Sequence, residues 1–173
     1  MHSYSWSYKL LHWLMAALIF LMFFAFQGFN PEMSQEDRIV MLIGHSSIGT
    51  IISMLLLIRV SKRFIFKHTQ PKTTGTFQKA AKATHLALYL LMVLVPLTGY
   101  LTANFHQLPV QVFGQFALNG EPNSAMFELL RSLHTTTIYS LIALLSLHIL
   151  AAVFHKFVLR DQTLYKMRPW FSK

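Results

Sequence analysis

Three histidines stand in the last long apolar run of the chain, Ser132 to Phe157, and their type and spacing suit metal binding or proton transfer. Imidazole is a common metal ligand and titrates near neutral pH. His134 and His148 are fourteen residues apart, which is four nearly complete helical turns and about 21 Å along a helix axis. His155 follows two turns later on the same stripe. The spacing predicts one helix that presents an imidazole near each side of a membrane, with both rings directed into the same bundle.

The apolar residues of the chain are collected into four charge-free runs, each long enough to cross a bilayer as a helix, which takes about 20 residues. The runs cover residues 10–29, 39–58, 83–105 and 132–157, and the last of these is charge-free up to Lys156. Pro96 in the third run should bend that helix rather than end it, because neighbouring helices can satisfy the carbonyl that proline leaves without a donor. We therefore predict an all-α fold: a transmembrane four-helix bundle that forms one domain over residues 1–173.

The composition agrees with a membrane protein and excludes several kinds of chemistry. Hydrophobic residues make up 54% of the chain and charged residues only 12%, whereas a soluble domain has about 25% charged residues. The chain has no cysteine. Disulfides, iron–sulfur clusters, covalently attached haem and thiol catalysis are therefore excluded.

The charged residues are divided unequally between the two sides of the predicted bundle. Thirteen of the fifteen Lys and Arg residues lie before the first run, between the second and third, or after the fourth. Arg38 and Arg131 are the two basic residues of the other connections, which also hold five of the six acidic residues. The positive-inside rule then places both termini and the central connection in the cytoplasm. The net charge of +9 thus reflects topology and contact with the lipid bilayer rather than nucleic acid, and we expect a multi-pass protein of the bacterial inner membrane.

With this orientation, the histidines of the four runs can be sorted by depth. His45 and His134 fall near the outer ends of the second and fourth helices, and His12 and His148 fall near the cytoplasmic ends of the first and fourth. Two bis-histidine haem b groups, one above the other, would use these pairs. Zinc is less suited, because no inward-facing acidic or thiol ligand accompanies the imidazoles. His85 on the third helix has nearly the same depth as His12, so sequence alone leaves the partner of His148 open.

Several short patterns give the chain a resemblance to a known family. They are Leu11-His12-Trp13, His85 to Tyr89 followed by Pro96 to Gly99, Arg131 to His134, Leu147-His148, His155 to Phe157, Arg160-Asp161, and Lys166 to Pro169. With these patterns the chain, over nearly its whole length, resembles the bacterial cytochrome b561 family of di-haem membrane proteins. It is most similar to the stand-alone members that oxidise superoxide. The resemblance implies that the haem ligands are His12, His45, His134 and His148, one of the two sets that the depth argument leaves open.

The resemblance also implies an activity, which is transfer of electrons from superoxide on the outer side to ubiquinone in the membrane. Arg38 and Arg131 would form a cationic outer site that captures the superoxide anion. Both arginines could instead be helix-end anchors or partners of haem propionates, and the outer acidic residues oppose an attraction of anions. A different class of function is also open: related four-helix cytochromes are electron-relay and anchoring subunits of dehydrogenases and hydrogenases.

A quinone site is predicted at the cytoplasmic end of the fourth helix. His155 lies about 10 Å beyond His148, where an imidazole could bind a quinone carbonyl and relay a proton. Trp13 could line the same site, although tryptophan is also a common interfacial anchor. Gly49, one turn after His45, either leaves room for a flat macrocycle or allows close helix packing. We further expect the segment His106–Leu130 to fold over the outer haem.

Overall fold

Four long helices form the protein, and a small hairpin connects the last two. A computed structural model describes residues 5–26, 32–65, 76–161 and 167. The helices are α1 (Trp6–Phe26), α2 (Gln35–Ile65), α3 (Thr76–Asn104) and α4 (Ser124–Phe157), and the strands are β1 (Gln111–Val112) and β2 (Phe116–Ala117). The predicted all-α four-helix fold is therefore confirmed, with the hairpin as an addition. We call the end that carries the hairpin the outer end and the opposite end the inner end, after the predicted orientation.

Each helix is long and apolar enough to cross a membrane. Apolar side chains such as Phe24, Val40 and Leu57 are about two-thirds exposed on the outside of the bundle. A surface of this kind is stable in lipid, whereas in water it would drive association. The structure thus explains the hydropathy of the sequence by lipid contact rather than by a large internal core.

The helices extend beyond the charge-free runs because polar residues cap and prolong their ends. At the start of α2, the Ser34 hydroxyl accepts a hydrogen bond of 3.1 Å from the Asp37 amide. At the start of α4, the Asn123 side chain accepts one from the Met126 amide at 3.0 Å, so the helix begins at Ser124 rather than at Ser132. Lys62 and Arg63 in the last turn of α2 favour its inner end through the helix dipole. The predicted bounds near Phe29 and in the central connection lie outside the described residues.

The packing of the helices leaves the centre of the bundle sparsely filled. Among the described residues, α3 packs closely along α4, α1 packs along α2, and α2 makes a smaller contact with α3. Only eight apolar side chains of these residues are buried, with Met15 and Leu56 the most enclosed within the helices. A four-helix bundle usually fills its centre with side chains. Here the two helix pairs contact each other less closely than the helices within each pair do.

The outer hairpin is held against α2. β1 and β2 pair antiparallel, with Val112 opposite Phe116, and the turn between them places Phe113 and Gly114 at φ values of 55° and 67°. Such left-handed pairs are typical of a tight hairpin turn. The Ser47 hydroxyl accepts a 2.8 Å hydrogen bond from the Phe113 amide, and Ser46 donates to the Gln111 carbonyl at 2.7 Å. The hairpin therefore covers α2 beside His45, and its position over an outer haem stays a prediction.

Candidate functional site

His45 and His134 face each other at the outer end of the bundle. Their ring centroids are 6.3 Å apart and their planes are nearly perpendicular, at 86°. A metal–imidazole bond is about 2 Å long, so two imidazoles on opposite sides of one iron have their centroids about 6 Å apart. Rotation of one ring about the common axis does not change this spacing. The outer pair that the depth argument predicted therefore has the spacing of a bis-histidine haem site.

The surroundings of His134 determine which of its nitrogens is available to a metal. The Thr98 hydroxyl oxygen lies 3.0 Å from Nδ1 of His134 and 2.8 Å from the Leu94 carbonyl oxygen. Because the hydroxyl has one proton and donates it to a backbone carbonyl, it accepts the proton of Nδ1. We assign that tautomer from the hydrogen-bond network. It leaves the Nε2 lone pair of His134 available, which is the usual arrangement of a histidine that binds iron or zinc.

Two glycines near the outer pair have different surroundings. A Cβ atom added to Gly99 would lie 2.9 Å from Cε1 of His134, so only glycine allows the ring to sit where it does. A Cβ added to Gly49 would meet nothing within 4 Å. Close helix packing therefore does not explain Gly49, and open space beside His45 remains. Sequence analysis missed Thr98 and Gly99 as parts of this site, because their approach to His134 depends on how α3 packs against α4.

Three histidines converge at the inner end. The rings of His85 and His148 are in direct edge contact, with centroids 5.5 Å apart and planes inclined by 66°. His12 lies close enough to interact electrostatically with both rings. His85 is exposed and His12 is half-buried. From the sequence, either His12 or His85 could be the partner of His148, and in the structure both lie near it.

A cationic cluster surrounds the inner histidines. Nη1 of Arg59 lies 3.0 Å from Nδ1 of His12, and Nε of the same arginine donates to the Tyr89 hydroxyl at 3.2 Å. The guanidinium group of Arg63 lies 5.4 Å from the centre of the Tyr89 ring. A guanidinium group only donates, so Nδ1 of His12 accepts and its proton is on Nε2. This cluster was not foreseen, since Arg59 and His12 are 47 residues apart and no sequence pattern links them.

A cavity of about 490 Å³ lies at the outer end. Arg38 and Arg131, the two basic residues predicted to attract an anion, both line it. His106 lines it as well, and so does Glu128, whose carboxylate opposes the attraction of an anion. The two predicted cationic residues, more than ninety positions apart in sequence, thus share one site.

His155 lies at the inner end of α4 beside a second cavity of about 520 Å³. Apart from His155, the lining is apolar and includes Leu150, Phe154 and Phe157. Nδ1 of His155 is 2.5 Å from Oδ2 of Asp161, an interaction that sequence analysis missed. Trp13, the other residue predicted for a quinone site, does not line this cavity. Its indole N–H donates to the carbonyl of Met167 at 2.9 Å.

The described residues contain no group of three or more histidine or acidic side chains that could hold a bare metal ion. The imidazoles meet in facing or adjacent positions instead, which suits a porphyrin with two axial ligands better than a zinc ion. Long lipid-facing helices that carry such a histidine pair between them define a membrane cytochrome of the b type.

Comparisons with known proteins identify the family. Residues 3–170 match the family described as prokaryotic cytochrome b561, and the chain belongs to that family. Cytochrome b561 homolog 2 of Escherichia coli K12 is 32% identical over 162 residues, which cover 90% of this chain and 86% of that protein. The probable superoxide oxidase CybB of Yersinia pestis is 27% identical and covers 92% of both chains. Cytochrome b561 homolog 1 of Escherichia coli K12 is 25% identical and covers 98% of both.

Membership of the family confirms the class of protein that the sequence predicted. Proteins of this family bind haem b and transfer electrons in the membrane, and this chain is a multi-pass protein of the inner membrane. Haem supplies a centre that gains and loses one electron at a time, while the protein sets its potential and controls access to it.

Proposed function

We propose that the protein is a di-haem cytochrome that transfers electrons from superoxide at the outer end to ubiquinone. His45 and His134 would hold the outer haem b, and His12 and His148 the inner one. The facing rings at 6.3 Å and the open space beside Gly49 support the outer site. The sparse packing between the two helix pairs supports a prosthetic group at each end.

The choice of His12 over His85 as the inner ligand rests on helix packing. His85 and His148 lie on α3 and α4, the most closely packed pair of helices, and their rings already touch. A porphyrin needs a gap as wide as two metal–nitrogen bonds between its ligands. His12 lies on the other helix pair, as His45 does at the outer end, so an iron held between the pairs would take one ligand from each pair. Ligation through Nε2 of His12 requires that Arg59 release Nδ1, and the propionates of a bound haem are natural partners for that guanidinium group.

The outer cavity is the observation that carries the choice of superoxide as donor. It brings the two arginines of the outer end into one small polar space, which suits a small anion and is too small for a protein surface. A cationic site of this kind raises the rate at which an anion is captured. The similarity to a probable superoxide oxidase supports the same assignment.

Reduction of ubiquinone completes the reaction. Two superoxide anions each lose one electron and become dioxygen, and one quinone takes up these two electrons and two protons to become a quinol. The apolar cavity at the inner end suits the ring and isoprenoid tail of a quinone, and His155 is the one titratable residue that lines it. Asp161, hydrogen-bonded to His155, would orient the imidazole as it donates a proton. Trp13, the other residue predicted for a quinone site, donates to the Met167 carbonyl and lies outside the lining of this cavity.

Stopped-flow mixing of the purified, oxidised protein with superoxide tests the proposal directly. We expect rapid reduction of the haem absorbance, second order overall and slower at high ionic strength because the donor is an anion. Charge-neutralising Arg131→Gln and Arg38→Gln variants should be reduced more slowly, whereas the matched variant Arg160→Gln, at the inner end, should be reduced at the wild-type rate. An oxidised protein that superoxide leaves unchanged would refute the assignment of the donor. Purification with a stoichiometric dehydrogenase or hydrogenase would then favour a relay subunit.

A further inference from the structure

His106 is held in one orientation at the wall of the outer cavity. Its Nδ1 accepts a 2.8 Å hydrogen bond from the Leu108 amide. The ring stands edge-on against Phe127, with centroids 4.8 Å apart. The side-chain amide of Asn119 donates to the His106 carbonyl at 3.0 Å and fixes the backbone of the same residue. Three independent contacts therefore position the ring.

The contact with Leu108 also fixes the tautomer of His106. Because Nδ1 accepts a proton from a backbone amide, the ring proton is on Nε2. Burial lowers the pKa of His106, and the charges of Arg131 and Arg38 act in the same direction, so the ring is neutral at pH 7. Since the Leu108 amide occupies Nδ1, the Nε2–H group is the remaining polar group of the ring. The ring thus offers one oriented N–H donor.

The other groups around the cavity favour a small anion. Arg38 and Arg131 supply two fixed positive charges. Gln35 and Ser124, the first residues of α2 and α4, also line it, so two helix N-termini point their positive dipole ends toward the same space. Glu128 is the opposing charge. Asp37, on the first turn of α2, does not line the cavity and accepts a hydrogen bond from the Ser34 hydroxyl at 2.7 Å.

We propose that His106 is a third anion-binding residue of this cavity and that its Nε2–H donates a hydrogen bond to superoxide held between Arg38 and Arg131. The arginines supply attraction over a distance, and the imidazole supplies a directional contact that holds the diatomic anion in one place. This assignment rests on the proposed function for the identity of the anion. The existence of the anion site rests on the geometry alone.

A pair of variants separates the donor from the packing role of the ring. His106→Phe keeps an aromatic ring against Phe127 and removes the donor, whereas His106→Gln keeps both an acceptor for Leu108 and an N–H donor. We expect His106→Phe to lower the second-order rate of haem reduction by superoxide about three- to tenfold, the effect of one lost hydrogen bond. His106→Gln should restore most of the rate. Reduction by the cation radical of methyl viologen should be unchanged in both.

If His106→Phe lowers the rates of haem reduction by superoxide and by the methyl viologen radical equally, His106 has a structural role and the proposal is overturned. An unchanged superoxide rate would overturn it as well.

A binding measurement keeps the inference separate from the proposed function. Azide, a small linear anion, can be titrated into the reduced protein while the imidazole resonances of His106 are followed by NMR. We expect a saturable shift of these resonances that is lost in Arg131→Gln. If superoxide fails to reduce the haems but azide binds, the anion site stands and its physiological ligand is another small anion. Absence of any azide-dependent shift would overturn the inference, whatever the outcome with superoxide.

Discussion

The smallest features of the outer site concern single atoms around His134. Gly99 lies so close to this ring that the Cβ atom of any other residue would approach Cε1 to 2.9 Å. At 3.0 Å, the Thr98 hydroxyl accepts the Nδ1 proton and so leaves the Nε2 lone pair available. Both residues lie on α3, which contributes no ligand to the proposed outer site. The third helix thus acts on the site by orienting a ligand that belongs to the fourth.

Gly99→Ala should therefore displace His134 and weaken the outer haem. The added methyl group forces the ring to move by several tenths of an ångström, and small displacements of a ligand by its supporting residues cost about 10- to 100-fold in metal affinity. The haem content per protein, read from the pyridine haemochrome spectrum, should fall from two toward one. Gly44→Ala is the matched control, because a Cβ atom there meets nothing within 4 Å and alanine favours a helix. Equal haem content in the two variants would contradict the role of Gly99.

The burial of His106 gives the outer segment a dependence on pH. Since the pKa of His106 is lowered in the folded protein, the unfolded chain binds more protons between the lowered value and the ordinary value near 6.5. The stabilisation by this residue is then complete above that ordinary value and is lost as the pH falls. A protonated Nδ1 can no longer accept from Leu108. We expect the hydrogen-exchange protection of the Leu108 amide to decrease below about pH 6 in the wild type.

The control for this prediction is His106→Gln, which keeps an acceptor but has no titrating group. Its Leu108 protection should be independent of pH after correction for the intrinsic exchange rate. A wild-type protection that depends on pH no more than that of His106→Gln would contradict the titration of His106.

At the scale of helices, the bundle consists of two closely packed pairs, α1 with α2 and α3 with α4. A ligand pair within one helix pair, such as His85 and His148, has its rings in contact. A ligand pair between the two helix pairs, such as His45 and His134, has the wider spacing that iron needs. The same rule favours His12 over His85 as a ligand of the proposed inner haem.

Single alanine variants of His12 and His85 distinguish these pairings. His12→Ala should lose one of the two haems and the low-spin spectrum of the inner site, because His148 alone cannot provide two axial ligands. His85→Ala should keep both haems, and a modest shift of the inner potential would reflect the lost contact with His148. Reduced-minus-oxidised spectra and the haem-to-protein ratio provide the measurement. Loss of a haem in His85→Ala with both retained in His12→Ala would reverse the assignment.

Features that depend on local interactions could be predicted from the sequence, whereas features that depend on contacts between distant residues could not. Hydropathy alone located four spans, and arithmetic along α4 placed His134 opposite His45, because helical rise and period are local properties. The contacts of Arg59 with His12 and of Ser47 with the hairpin join residues 47 and 66 positions apart. They depend on helix packing, which no local pattern encodes. The hairpin itself was hidden because its strands are only two residues long.

At the scale of the whole molecule, the two ends differ in charge and in the kind of cavity they contain. The outer end has a polar cavity with two arginines, and the inner end has an apolar cavity with one histidine. The proposed electron transfer from a water-soluble anion to a lipid-soluble quinone would use this asymmetry, since a polar cavity favours the anion and an apolar one favours the quinone. The proposed function therefore depends on which end faces the cytoplasm.

The absence of cysteine makes the orientation directly measurable, since one introduced cysteine is the only thiol in the chain. Glu121 and Lys82 are exposed residues at the outer and inner ends, respectively. In spheroplasts, a membrane-impermeant maleimide should label Glu121→Cys at once, whereas Lys82→Cys should react only after the membrane is broken. The reason is the unequal distribution of Lys and Arg, which retains the basic connections in the cytoplasm. Wild-type protein, without a thiol, is the blank. Labelling of Lys82→Cys in intact spheroplasts would reverse the orientation and place the arginine cavity on the cytoplasmic side, where it could not collect superoxide from outside the cell.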